Sequence, residues 1–216
     1  MIYLWRFFIG GLTAFFFGLA ALFFIAPLLP GDAPVTGSAA IRSEPEGPDA
    51  RRHYLPNGVS IATRSDWPLI AGENLHQFDR FGLSARAGDD TRILLAVADA
   101  GTPELMSGVL ILIDAGDTRT TAQKKLQAFM DRIRPKLTEA TVIHEAQPTE
   151  IAGFGAAWGG FRAVQEGRIG RRTVQARAHI VHVDRRAVLA IGVSMIGSAA
   201  GNQLNAMLET LRAERS

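Results

Sequence analysis

The chain has 216 residues, with 23 Lys and Arg against 21 Asp and Glu, five His and no Cys. A formal net charge of +2 is too small for a nucleic-acid surface, which requires a clustered basic excess, so no nucleic-acid partner is expected. The lack of cysteine removes thiol nucleophiles and thiolate metal sites, and it is compatible with an oxidising compartment without demanding one.

In chain order the first feature is an uncharged apolar run from Phe7 to Leu29. Its 23 residues would make a helix of about 34 Å, enough for a hydrocarbon core of about 30 Å. A transmembrane anchor over residues 1–29 is therefore expected, with the lipid bilayer as its partner through residues 7–29. A cleaved signal is the alternative. Ser38-Ala39-Ala40 offers a small-residue site, but it lies well past the apolar run, behind Pro27 and Pro30, and that run is longer than a signal core. Arg6 precedes the run, Asp32 follows it, and the next basic residue is Arg42, which favours the amino end inside the cell and the bulk outside it. Gly10, Ala14 and Gly18 recur every four residues and would let a second copy of the helix approach closely, as a homodimer.

Residues 30–52 are rich in Pro, Gly, Ala, Ser and Glu and poor in large apolar side chains, so they read as a flexible linker. The soluble domain is then residues 53–216. It opens with an Asn57-Gly58 turn between extended segments, and a short strand is placed near Leu75 to Phe81. Arg92–Ala98 and Gly108–Ile113 are short apolar runs that suggest strands buried on both faces. Ala122, Leu126, Phe129, Met130, Ile133 and Leu137 form one helical stripe, with Thr120 and Gln123 as a capping box and Pro135 near its end. Four strands follow, at Thr141–Glu145, Ala156–Glu166, Thr173–Val183 and Arg186–Ile196, and short turns between them imply antiparallel pairing. Ser198 would cap a last helix carrying Ala200, Leu204, Met207, Leu208 and Leu211 on one face.

This order predicts an α+β fold, a three-layer α/β/α sandwich around a mostly antiparallel sheet. The segment YLPNGVSIATRSDWP from Tyr54, and IAGFGAAWGGFRA from Ile151, resemble the opening segment and the Gly-led strand of PsbP-like domains, including the DcrB-like bacterial envelope proteins. The resemblance runs from Tyr54 to Leu211. It implies a binding or accessory module that acts through docking surfaces and has no catalytic residues of its own.

A direct search for chemistry gives little. There is no G-x-S-x-G, H-E-x-x-H or P-loop, and no cofactor is expected. Gly153 and Gly155 begin like a dinucleotide fingerprint but lead into a strand without the third Gly, so they are expected to admit a helix or side chain close to the sheet. His179 and His182 point to opposite faces of a strand and cannot share a metal; His179, beside Arg177, reads as part of a solvated face. Asp99, Asp114 and Asp117 would bind a cation or serve a hydrolase if they met at strand ends, while the simpler reading gives Asp117 or Thr118 to a helix start. Arg168, Arg171 and Arg172 fall at one end of a hairpin, where they would contact lipid phosphate or an acidic partner; Arg185 and Arg186 fall at the other. The leading expectation is a single-pass inner-membrane protein that presents a non-catalytic domain to the periplasm and binds an envelope protein or small ligand. A tethered carboxylate hydrolase and a structural subunit self-associating through its anchor are the alternatives.

Overall fold

The computed structural model describes residues 41–70, 92–100, 106–167 and 170–214. They belong to one compact unit, Ala39–Ser216. The strands are β1 (Arg42–Pro45), β2 (Ala50–Tyr54), β3 (Val59–Arg64), β4 (Arg92–Ala98), β5 (Gly108–Asp117), β6 (Thr138–Ile151), β7 (Phe154–Gly167), β8 (Gly170–Val183), β9 (Arg186–Met195) and β10 (Arg212–Ala213). Helix α1 spans Ala122–Ile133 and α2 spans Ala199–Glu209.

A six-stranded sheet runs in the order β4-β5-β9-β8-β7-β6, with every neighbouring pair antiparallel. Because side chains alternate across a strand, each central strand supplies two cores. From β5, Val109, Ile111 and Ile113 join Leu126, Phe129, Met130 and Ile133 of α1, while Leu110 and Leu112 join Leu204 and Leu208 of α2. Helix α1 packs on β6, β7 and β8; α2 packs on β9, β5, β8 and β3. The expected sheet-rich α+β architecture with two helices is observed. The hairpin expected around Asn57-Gly58 is observed as the antiparallel β2–β3 pair; the sequence did not reveal that β1 and β10 extend it into a second sheet, β1-β2-β3-β10, whose Val59 and Ile61 complete the core on the α2 side.

That second sheet moves the domain boundary. Residues read as linker up to position 52 include β1 and the first half of β2, which pair from Arg42 opposite Tyr54 to Pro45 opposite Arg51. Composition misled because the segment is polar, yet its backbone hydrogen bonds are satisfied by pairing and its one buried cation by specific partners. Arg52, 5% exposed, donates to Ser60 Oγ at 3.2 Å, to the Thr210 carbonyl at 3.2 Å and to Glu46 Oε1 at 2.8 Å. It thereby ties the small sheet to the C-terminal end of α2, where a cation also suits the helix dipole.

Local details refine the expectations. Helix α1 is capped by Thr121, not Thr120: Thr121 Oγ1 accepts from the Lys124 amide at 3.3 Å. It ends at Ile133 because Pro135 has no N–H, and the chain tightens into a 3-10 turn, Arg134–Lys136. The glycines at 153 and 155 have nothing within 4 Å of a notional Cβ; Gly153, with φ +80°, and Ala152, with φ +53°, form the tight β6–β7 turn instead. Close approach is required at Gly108, where a Cβ would lie 2.6 Å from Ala200 Cβ and 2.9 Å from Trp67 Cη2, and that contact seats the start of α2 on β5. The strand expected near Leu75 to Phe81 lies outside the described residues, as do residues 7–29 with Gly10, Ala14 and Gly18. Among the described residues no helix is long and apolar enough to cross a membrane.

Candidate functional site

Helix α2 covers β9 and β5 but not the whole sheet. On the same face, β8 presents Gln175, Arg177 and His179 in alternation, and the register places them opposite Arg162, Gly160 and Trp158 of β7. On the other side of β8, Gln175 faces Ser194 and Arg177 faces Gly192 of β9. At Gly192 the helix comes close, a notional Cβ lying 3.3 Å from Leu208 Cδ1 and 3.4 Å from Leu204 Cβ, and beside this contact a cleft of about 300 Å³ opens between α2 and β8–β9. Its polar walls are Gln175, Arg177, Ser194, Ser198, Asn202 and Asn205; Leu204 and Leu208 form its apolar back.

Arg177 is the central group. Its guanidinium donates from Nη1 to Asn205 Oδ1 at 3.4 Å and lies 5.2 Å from the centroid of the Trp158 ring. The His144 ring packs against Trp158 at 4.9 Å, tilted by 53°. Arg177 Nε is buried with no hydrogen-bond partner among the described residues. Behind it, His179 is 8% exposed, which corrects the expectation of a solvated position. Its cross-strand neighbours are Trp158 of β7 and Ala190 of β9, which a single strand's pattern does not show. Burial, and then the Arg177 charge, push the His179 pKa down to about 4, so its imidazole is neutral at pH 7 and adds no like charge beside Arg177. His182 lies on the other face, where burial and the charge of Lys125 from α1 lower its pKa.

The remaining candidates are separated. Asp99 closes the β4–β5 connection, accepting from the Ser107 amide at 2.8 Å, the Gly108 amide at 3.0 Å and the Ser107 hydroxyl. Asp114 lies six residues along β5 from Gly108, about 20 Å at the strand rise, and is held by Arg186 and by the Gly116 amide at 3.0 Å. Asp117 pairs with Arg119 at 2.8 Å and Lys125 at 3.8 Å. The three carboxylates do not converge, because Asp99 lies at one end of β5 and Asp114 and Asp117 at the other. Among the described residues no group of three or more His, Asp or Glu is placed to hold a metal. Arg171 and Arg172 are at the tip of the β7–β8 hairpin: Arg171 pairs with Glu139 and Arg172 donates to Met195 Sδ at 3.0 Å. Arg168 lies outside the described residues.

Sequence reading missed the cleft. Its signal was a run of polar alternation in β8 set against small residues in the neighbouring strand, Gly192 and Ser194, followed by Asn202 and Asn205 three apart on α2. Strand pairing was needed to bring those pieces together.

No known protein-family model matches the chain, and no curated protein does. Among solved structures it is similar to LpqN, involved in cell envelope biogenesis of Mycobacterium tuberculosis, at 13% identity and a TM-score of 0.45, over 80% of this chain and 90% of that one. It is similar also to a protein from Bacteroides thetaiotaomicron at 12% identity and a TM-score of 0.44; 76% of this chain is covered but 48% of that one, so it spans about half the Bacteroides protein. A protein of unknown function from Pseudomonas aeruginosa, PA94, matches at 11% identity and a TM-score of 0.41, over 59% of this chain and 83% of that one. At these identities and scores the likeness carries no argument about activity.

Proposed function

We propose that this chain is a membrane-anchored binding protein of the bacterial envelope, held by residues 7–29 and offering the α2 cleft to a small ligand on the extracytoplasmic side. The observation that carries the binding reading is the cleft itself: about 300 Å³, lined by six polar side chains together with the apolar Leu204 and Leu208. That volume is at the lower end of ligand clefts, and a few convergent polar groups on an apolar wall are what fixes a small molecule's orientation. The scattered, individually paired carboxylates favour binding over hydrolysis. The uncharged Phe7–Leu29 run and the basic Arg6 before it support the anchor and its direction. The resemblance of Tyr54–Pro68 and Ile151–Ala163 to PsbP-like and DcrB-like segments supports a docking module built as a three-layer sandwich.

The test is ligand-induced stabilisation of the full chain in an uncharged detergent, screened against a panel of small polar metabolites. A ligand at a hundred times its Kd adds about 2.7 kcal/mol to stability. Asn205→Trp, which puts an indole into the cleft from a half-buried position on α2, is expected to fold and to lose that stabilisation. An equal shift in both proteins would place the ligand elsewhere and contradict the reading.

A further inference from the structure

Resting on the cleft being a binding site, we infer that its ligand is a small oxyanion, a carboxylate or a phosphate, gripped by the guanidinium of Arg177. Thirteen residues line the cleft and none of them is Asp or Glu. Arg177 makes no ion pair among the described residues, and its side-chain hydrogen bond goes to a neutral amide. The other inward-facing guanidinium, Arg52, shows what this domain does with a buried cation that has only a structural role: it gives it Glu46 at 2.8 Å. The Nε atoms of both arginines are buried without a partner, so the difference between them is the carboxylate: a partly buried cation is costly to hold without counter-charge, and a bound anion removes that cost.

The neighbouring groups point the same way. Ser194, Gln175 and Asn202 add neutral donors around the same space. Helix α2 runs alongside the cleft from Ser198 to Leu208, has no acid in its first turn, and its cap residue Ser198 turns its hydroxyl away to donate to the Met195 carbonyl at 2.7 Å. The first-turn amides of α2 therefore carry no side-chain cap and reinforce a positive field already set by Arg177. Arg162, exposed on the same face across from Gln175, extends that field outward. Neutral sugars fit less well. They stack on an open aromatic face, and here the Arg177 guanidinium stands over Trp158 while His144 packs against it.

Trp158 also provides the readout, since an anion that engages Arg177 changes the charge over its ring. The full chain in an uncharged detergent is titrated with inorganic phosphate, with succinate and with glucose, following tryptophan emission, with Trp158→Phe to identify the responding ring. Phosphate or succinate is expected to bind and to weaken as salt rises, and the tighter of the two tells which oxyanion the site prefers. Arg177→Gln is expected to weaken that binding by about 10-fold or more, and Arg177→Lys, which keeps the charge but not the fork, by less. Glucose binding without either anion overturns the anion assignment and leaves the cleft reading standing. Anion binding unchanged by Arg177→Gln overturns it too. So does silence to both anions at millimolar concentration, in which case the metabolite panel decides separately whether the cleft binds anything.

Discussion

Replacing Arg52 with Ala is expected to destabilise the domain by about 3 kcal/mol, the scale of breaking a buried ion pair from one side. The loss has three parts: the Glu46 pair, the hydrogen bond to Ser60 Oγ, and the donor that satisfies the Thr210 carbonyl at the end of α2. Glu46 is itself about a third exposed, so water takes over part of its share and the cost stays at the low end of that scale. Arg52→Met keeps the stem packed and is expected to cost less. The same contacts predict where the domain can be cut. A chain beginning at His53, where the polar composition suggests the domain starts, lacks β1, most of β2 and the Arg52 clamp, and it is expected to be unfolded. One beginning at Ala39 is expected to fold. Urea midpoints measure both; an Arg52→Ala variant within 0.5 kcal/mol of the parent, about the size of an ordinary surface change, would show that the clamp is dispensable.

Acid is expected to weaken the fold through its buried histidines well before the carboxylates titrate. His179 has a pKa near 4 in the folded chain against 6.5 when unfolded. Below pH 6.5 the unfolded chain takes up a proton that the folded chain refuses, so this group favours unfolding increasingly until about pH 4 and adds nothing further below it. The shift amounts to about 3 kcal/mol at 1.36 kcal/mol per unit. His53 and His182 push in the same direction, since burial lowers both. His53 is buried between hydroxyls, with Ser43 Oγ at 2.8 Å from Nδ1 and Thr63 Oγ1 at 2.8 Å from Nε2, an arrangement that serves a neutral ring. The check is the unfolding free energy of the full chain at pH 7 and pH 4.5. His179→Gln is expected to flatten the profile by most of the His179 share, and a variant whose profile runs parallel to the parent's would contradict the assignment.

The helices and the meander were legible in the sequence because each satisfies its own period. The α1 stripe from Ala122 to Ile133 needs no partner to be recognised, and neither do the two-sided apolar strands β5 and β9. Of the small sheet only the β2–β3 hairpin was legible, from its Asn57-Gly58 turn. Arg42–Pro45 and Ala50–Tyr54 are polar, short and rich in Arg and Glu, and they hold their place by cross-strand pairing and by one arginine whose partners lie as far as 158 residues away. His179 was misread for a related reason: its surroundings, Trp158 on one side and Ala190 on the other, come from neighbouring strands and not from its own. The cleft combines both problems, since Gln175, Arg177, Ser194 and Asn205 come from three elements and look unremarkable in each.

The central claim is that the α2 cleft is where this domain holds a small molecule. Native mass spectrometry of the full chain, isolated gently from the cells that make it, tests this most directly when run beside Asn205→Trp. The account predicts a non-covalent small-molecule adduct on the parent chain that is missing from the cleft-filled variant, with both proteins folded. The same adduct at the same occupancy on both would contradict it.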